Sequence, residues 1–387
     1  MRDEIVENKY LVVENGMILG ICDEMPKEYD AKYDLHGNYI SPGFVDIHVH
    51  GGGGHDFNDA TREAFVGVAK EHLKHGTTAL TPTIVACASQ ELKECISCYE
   101  VLEAEETEKD SGRMLPHFLG LHLEGPYLSP AQSGAIDKAY IISPSREEYM
   151  TLLNSTDSIK RMTVAPELEG AMELGNELKK RGIVASIGHS DAEYAQVKEA
   201  VDSGYTHVTH LYSAMSMVHR KRAYRKLGVV ESTYLLDELT AEIITDGCHL
   251  PIELIELIIR NKGTDKVCLI TDAMRGAGMP NGTETILGSL KNGQRVLIEE
   301  NVAFMPDMSC FAGSTCTTDR CVRTLYQNTD ISLCEIVKMI TYNPCRVLNI
   351  ADKYGMIEKG YPADFVVFDE DICVQDVFIN GIKVEIE

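Results

Sequence analysis

The amino-acid sequence predicts an α/β protein: a (β/α)8 TIM-like barrel carrying a small β-sandwich domain formed from both chain termini. Three observations carry this expectation. Short apolar runs ending in polar residues recur eight times through the middle of the chain, alternating with stretches of helical period. The runs are nearly continuous in aliphatic residues, as parallel strands covered by helices must be. Both ends of the chain read instead as short strands joined by tight turns.

In order, residues 10–13 and 17–21 form a hairpin around Glu14-Asn15-Gly16. The barrel strands follow at 43–50, 77–84, 118–124, 162–167, 183–189, 207–211, 241–246 and 266–272, with helices such as 192–204 and 251–262 between them. Eight units favour a closed barrel over an open doubly wound sheet. Residues 364–368 and 377–384 return to strand, and Asn380-Gly381 accepts the positive φ of a hairpin turn. The division expected is a small β domain from 1–42 and 355–387 around a catalytic barrel at 43–354; a barrel of about 250 residues plus a small domain suits 387.

With 60 acidic against 36 basic residues the chain carries a formal charge of −24, which argues against nucleic acid or an anionic membrane as partner. Residues 1–10 hold no apolar run, and no stretch approaches the ~18 apolar residues of a spanning helix, so a soluble, unexported protein is expected. Twelve cysteines scattered from Cys22 to Cys373 then read as reduced thiols in the cytoplasm. Cys95 and Cys98 read as helical neighbours without a role, and the acidic run 103–110 as a solvated helix end.

Catalytic groups of such barrels project from the C-terminal ends of the strands. There this sequence puts His48, His50, Glu124, His189, His210, Asp246 and Asp272. Any one alone could be structural, an Asp as a helix cap above all. Seven at corresponding places exceed what capping requires. His48-x-His50 puts two imidazoles on one face of a strand, and Glu124, His189 and His210 complete a nitrogen-rich donor set suited to zinc or iron rather than magnesium or calcium. An ion so held lowers the pKa of water from about 15.7 toward roughly 7. Asp272 is the expected base for that water and then the acid for the leaving group. A basic cluster, His219-Arg-Lys-Arg222 with Arg225 and Lys226, reads either as a solvated face or as a phosphate-binding patch, the second favoured for Arg225.

Taken in order, Pro42-Gly-Phe-Val-Asp-Ile-His-x-His50, His122-Leu-Glu-Gly-Pro126, Ala165-Pro-Glu167, Gly188-His-Ser190, Thr209-His-Leu211 with Ala214-Met215, Asp246-Gly-x-His249 and Thr271-Asp-Ala273 resemble the N-acetylglucosamine-6-phosphate deacetylase family of the amidohydrolase superfamily. Ala312-Gly-Ser314, Asn343-Pro344 and Gly360-x-Pro-Ala-Asp364 extend the resemblance over nearly the whole chain. It implies removal of the acetyl group of N-acetylglucosamine 6-phosphate in amino-sugar catabolism, by a homodimer. It implies Glu124, His189 and His210 as ligands of a main ion and a second ion at His48 and His50, bridged by Glu124. It makes Asp272 the general acid/base and His249 a substrate-binding residue reaching the neighbouring subunit's site. Arg225, Arg220, Ser213, Ala214 and Gly313 fall at substrate-binding positions. The chain departs from the family's pattern at Ser213, where an asparagine is usual, at Arg225-Lys-Leu-Gly228, and at Ile136, where many members have histidine. These departures motivate an alternative, a deacetylase of another N-acylated sugar or amino acid. A non-catalytic metal-binding barrel is a third reading, against which Asp272 argues.

Overall fold

The computed structural model describes residues 4–107 and 114–385. Eight parallel strands follow one another around a barrel: β1 (Phe44–Val49), β2 (Thr77–Val85), β3 (Leu121–Glu124), β4 (Ile159–Val164), β5 (Val184–Ile187), β6 (Tyr205–Val208), β7 (Thr240–Ile244) and β8 (Val267–Ile270). Each pairs with the next in the chain, and the ring closes just beyond β8, where Val49 bridges Ala273 and Asp272 N–H donates to His48 O (2.9 Å). Each strand is followed by a helix: α1 (Arg62–Leu73), α2 (Ser89–Thr107), α3 (Arg146–Ser155), α4 (Ala171–Arg181), α5 (Tyr194–Asp202), α6 (Val229–Leu235), α7 (Ile252–Lys262) and α8 (Thr318–Asn328). Start and stop signals are local: Thr61 Oγ1 accepts from Ala64 N–H ahead of α1, and Gly182, at φ 71°, ends α4 after Lys179, Lys180 and Arg181. The inward faces of the helices bury Phe65, Val68, Leu174, Val197, Ile255 and Leu325 against the strands.

The eight predicted strands are all present, with their ends shifted by a few residues; β4 begins at Ile159, ahead of the predicted 162–167. Cys95 and Cys98 lie on α2 as expected. Glu103 on the same helix accepts from Tyr99 and from Ser158 Oγ (3.2 Å), so this part of the acidic run is tied to the body; residues 108–110 lie outside the described residues.

Near the termini, Tyr10–Glu14 and Met17–Cys22 form a hairpin, and Tyr39–Pro42 pairs antiparallel with Phe365–Phe368, which continues to Val374–Ile379 and Ile382–Val384. Residues 377–384 therefore divide at the predicted Asn380-Gly381 turn. Gly381, at φ 77°, passes so close to the hairpin that a Cβ would stand 2.7 Å from Val13 Cγ1. Ile18, Ala363, Phe365, Val367 and Phe378 are buried between the two layers.

An element the sequence reading passed over follows β8. Glu284–Leu287, Gln294–Glu299, Val302–Phe304 and Phe311–Ser314 make a four-stranded antiparallel sheet, packed on Met274, Leu287, Val296 and Ala312. Its last strand lengthens the barrel wall: Ser314 N–H donates to Asp272 O (2.8 Å) and Met274 N–H to Ser314 O (2.9 Å).

One tertiary contact makes stability pH-dependent. His75 Nδ1 lies 3.2 Å from Asp319 Oδ1 and its Nε2 3.8 Å from Glu71 Oε1. Burial disfavours a charged ring, but the two carboxylates outweigh it and raise His75 to about 9. A folded-state pKa above the unfolded value of about 6.5 gives a contribution complete below about pH 6.5 and lost as the pH climbs through 9. Thermal unfolding from pH 7 to pH 9.5 should therefore show a larger fall in midpoint for wild type than for His75→Asn; equal slopes would assign no such role to the ring.

Candidate active site

Strand ends deliver the ionisable groups to one place. His48 and His50 lie two apart on β1 and just beyond it, so their rings share a face, with Nε2 atoms 3.3 Å apart. Glu124 ends β3 and stands between two groups of imidazoles. Its Oε1 is 3.1 Å from His189 Nε2, 3.0 Å from His210 Nε2 and 3.5 Å from His48 Nε2; its Oε2 is 3.2 Å from His50 Nε2. Asp272 closes the ring of groups, Oδ1 lying 3.4 Å from His48 Nε2 and 3.3 Å from His50 Nε2. All six side chains are buried.

Three of the six sit on backbone in the left-handed region: His189 (φ 46°), His210 (φ 27°) and Asp272 (φ 48°). Such conformations cost about 1–3 kcal/mol each and persist where neighbours impose them. Here Asp272 is held through N–H to His48 O and O to Ser314 N–H, and Ser190, next to His189, donates to Glu167 Oε2 (2.7 Å).

The donor set fits a divalent ion. Two groups can hold one, His48 with His50 and Glu124, and Glu124 with His189 and His210. Ligand atoms about 2.0–2.1 Å from a tetrahedral ion lie about 3.3 Å from one another. His189 Nε2 and His210 Nε2 are 3.2 Å apart, and both are 3.0–3.1 Å from Glu124 Oε1. Burial pushes the Glu124 carboxyl up, but the surrounding imidazoles outweigh burial and hold it well below the usual range. Asp272 is likewise raised by burial and lowered further by His48 and His50, so both carboxyls are ionised.

The expected substrate positions fall in two places. Near the strand ends, Ser213 N–H donates to His210 O (2.9 Å), and Ala214 is half-buried beside Gly134 and His189. Gly313 is required where it stands: φ is 73°, and a Cβ would lie 3.1 Å from Asp272 O. His249 Nδ1–H donates to Asp246 Oδ2 (2.8 Å), and its ring lies against Phe311. Asp246 also accepts from the N–H groups of Cys248 and His249, the capping role open to an Asp at a strand end. Arg220 and Arg225 lie farther out, opposite each other on an exposed hairpin, His219–Lys221 with Tyr224–Lys226, turned at Arg222 and Ala223. Glu193 takes the lysines, Lys221 at 2.6 Å and Lys226 at 3.9 Å. Among the described residues, the side chains of Arg220, Arg222 and Arg225 have no carboxylate partner. Ile136 is buried and packs with Val85 and Leu128.

Beneath the imidazoles lie functional groups that the sequence reading missed. Arg161 on β4 and Glu242 on β7 form a fully buried ion pair, doubly hydrogen-bonded at 2.6 and 2.7 Å. Here the barrel interior is polar, with Thr83, His122, Thr163, Ser186 and Thr209 hydrogen-bonded around the pair, and the expectation of apolar strand cores is corrected accordingly. The available signal was a lone acidic residue in an apolar strand, Thr-Ala-Glu-Ile-Ile, with alternation that turns Lys160 outward and Arg161 inward.

The closed parallel barrel thus carries paired imidazoles at β1, a shared carboxylate at β3 and an aspartate just beyond β8, a donor set able to hold a metal beside a carboxylate base. Residues 39–384 match the model of the Amidohydrolase family, to which the chain belongs. It is 34% identical over 376 residues to the N-acetylglucosamine-6-phosphate deacetylase of Lysinibacillus sphaericus, covering 95% of this chain and 91% of that protein. It is 32% identical to the human enzyme of the same name, covering 96% and 90%. Crystal structures of N-acetylglucosamine-6-phosphate deacetylases from Pasteurella multocida and Mycobacterium smegmatis superpose with TM-scores of 0.88 and 0.87 at 29% and 28% identity, covering 98% and 97% of this chain and 96% and 95% of theirs. Within the amidohydrolases the chain thus groups with the N-acetylglucosamine-6-phosphate deacetylases.

Proposed function

We propose that the protein hydrolyses N-acetylglucosamine 6-phosphate to glucosamine 6-phosphate and acetate, as a cytoplasmic homodimer in amino-sugar catabolism. The observation that carries the reading is the meeting of Glu124, four imidazole Nε2 atoms and Asp272 Oδ1 at the strand ends, in a chain similar to deacetylases over nearly its full length. We assign residues 43–354 to catalysis and 1–42 with 355–387 to a supporting domain.

Zinc or iron, one or two ions per subunit, would be held by Glu124, His189 and His210 and by His48 and His50, polarising the acyl oxygen and making water nucleophilic at neutral pH. Asp272 accepts a proton from the attacking water. It returns that proton to the amide nitrogen as the C–N bond breaks, so acetate and the free amine leave with all atoms accounted for. His249, its Nδ1–H held by Asp246, presents Nε2 to the sugar phosphate, and Ser213, Ala214 and Gly313 line the approach. All twelve cysteines are free thiols, which agrees with a cytoplasmic setting.

Arg225, with Arg220 beside it, takes the phosphate. Two guanidinium groups facing each other repel unless an anion lies between them, and a chain of net charge −24 repels phosphate at long range, so a local cationic pocket is required. Charge-assisted hydrogen bonds contribute about 1.5–3 kcal/mol, so Arg225→Ala should lower kcat/KM for the 6-phosphate by about one to two orders of magnitude. The same change should leave the unphosphorylated sugar almost unaffected. Acetate release measured for both sugars with both proteins is the test. A wild type indifferent to the phosphate would transfer the assignment to another N-acylated sugar or amino acid, the reading that Ile136 and Ser213 favour. A chain without turnover on any N-acyl substrate would be a metal-binding barrel only.

A further inference from the structure

Glu242 and Arg161 are tied to the histidines on both sides of Glu124. Glu242 Oε1 lies 2.6 Å from His48 Nδ1, which must donate to it, and also accepts from His210 N–H (3.3 Å). Arg161 donates to Ile47 O (3.1 Å) and to Thr209 Oγ1 (3.0 Å), the residues directly before His48 and His210. The remaining contact of the carboxylate is His207 Nε2, at 3.3 Å. A buried ion pair is a weak source of stability, because desolvation offsets much of its attraction. This one spans the barrel floor from β1 to the end of β6, and its bonds reach the histidine of each candidate metal group.

Resting on the reading of these histidines as metal ligands, we propose that Glu242 is a positioning residue of the metal centre: it holds His48 with Nδ1–H inward and the Nε2 lone pair toward the ion, while Arg161 offsets the charge of the buried carboxylate. A histidine whose Nδ1 lacks such an acceptor can rotate or place its proton on Nε2, and loss of an outer partner of this kind typically lowers metal affinity about 10- to 100-fold. His189 has a direct partner of the same kind, its Nδ1 lying 2.8 Å from Gln132 O; for His48 that partner is the Glu242 carboxylate.

The test is zinc titration by calorimetry into metal-stripped full-length protein, with folding of each variant checked by circular dichroism. Glu242→Gln alone leaves Arg161 charged and unpaired, so the comparison is made in an Arg161→Met background that removes both charges. With Glu242→Gln an acceptor for His48 persists, and affinity for the second ion should stay within a few-fold of wild type. With Glu242→Leu the acceptor is gone, and that affinity should fall about 10- to 100-fold while the first ion still binds. Two ions bound equally well in the Gln and Leu variants would overturn the proposal. If the double variants do not fold, the zinc-loaded wild type decides: the His48 Nδ1 proton should be visible in nitrogen-15 spectra and protected from solvent exchange, and a freely exchanging proton would refute the bond. A wild type that binds no zinc defeats the metal reading itself, an outcome distinct from both.

Discussion

Asp272→Asn should keep metal and substrate binding and lose turnover, kcat falling about 10²- to 10⁴-fold, the usual contribution of a positioned acid/base group. That range corresponds to about 2.7–5.4 kcal/mol of transition-state stabilisation at 1.36 kcal/mol per decade. The substitution is nearly isosteric, and asparagine tolerates the left-handed φ of 48° found here better than most residues. The backbone bonds to His48 O and from Ser314 N–H do not involve the side chain and survive it. What disappears is a carboxylate that the neighbouring imidazoles keep ionised despite burial. An amide cannot accept the proton of water. Steady-state acetate release combined with metal analysis separates the roles: near wild-type kcat would require another base, and loss of metal would make Asp272 a ligand first.

His189→Ala and His210→Ala should each lose bound metal and activity together, turnover dropping to background. Among the described residues, His189 and His210 supply the only two imidazole nitrogens within 3.1 Å of Glu124 Oε1, and the next, His48 Nε2, lies at 3.5 Å. His48→Ala and His50→Ala should lose at most one ion, since Glu124, His189 and His210 remain together. Alanine is strained at a positive φ, by roughly 1–2 kcal/mol, so His189→Asn and His210→Asn are the better controls of folding. They should unfold cooperatively near the wild-type temperature and remain inactive. Metal content by atomic emission is decisive: wild-type protein that is fully active with substoichiometric metal would end the metal reading.

The fold was legible because its signal is periodic and repeated. Eight apolar runs, six of them ending in His, Glu or Asp, mark eight strand ends whether or not each boundary is accurate, and β4 survived a misplaced start. The metal-ligand candidates were legible for the same reason, each lying at the end of a run. The sheet formed by residues 284–314 went unread because its strands are short and half-buried, although Asn292-Gly293 stands between its first two strands and the Glu300-Asn301 turn, at φ 52° and 59°, between the next two. Arg161 and Glu242 were hidden for a different reason. A charged residue within a strand looks like the exposed side of an alternating pattern, and only the closure of the barrel turns that side inward against another charge. The basic cluster 219–226 was noticed, but its hairpin geometry depends on positive φ at Arg222 and Ala223, residues that do not announce a turn as Asn-Gly does.

The pairing of Tyr39–Pro42 with Phe365–Phe368 joins two segments that are translated far apart in time. The strand that leads into β1 has no partner until some 320 further residues have been translated, at roughly 5–20 residues per second about 16–65 s later. Over that interval the ribosome-bound chain holds an unpaired edge containing Tyr39 and Ile40, the kind of segment that chaperones cover and that seeds aggregation when they do not. The strand at Phe365–Phe368 therefore acts as a latch, and a ribosome that stops before it releases a chain whose Tyr39–Pro42 strand stays unpaired.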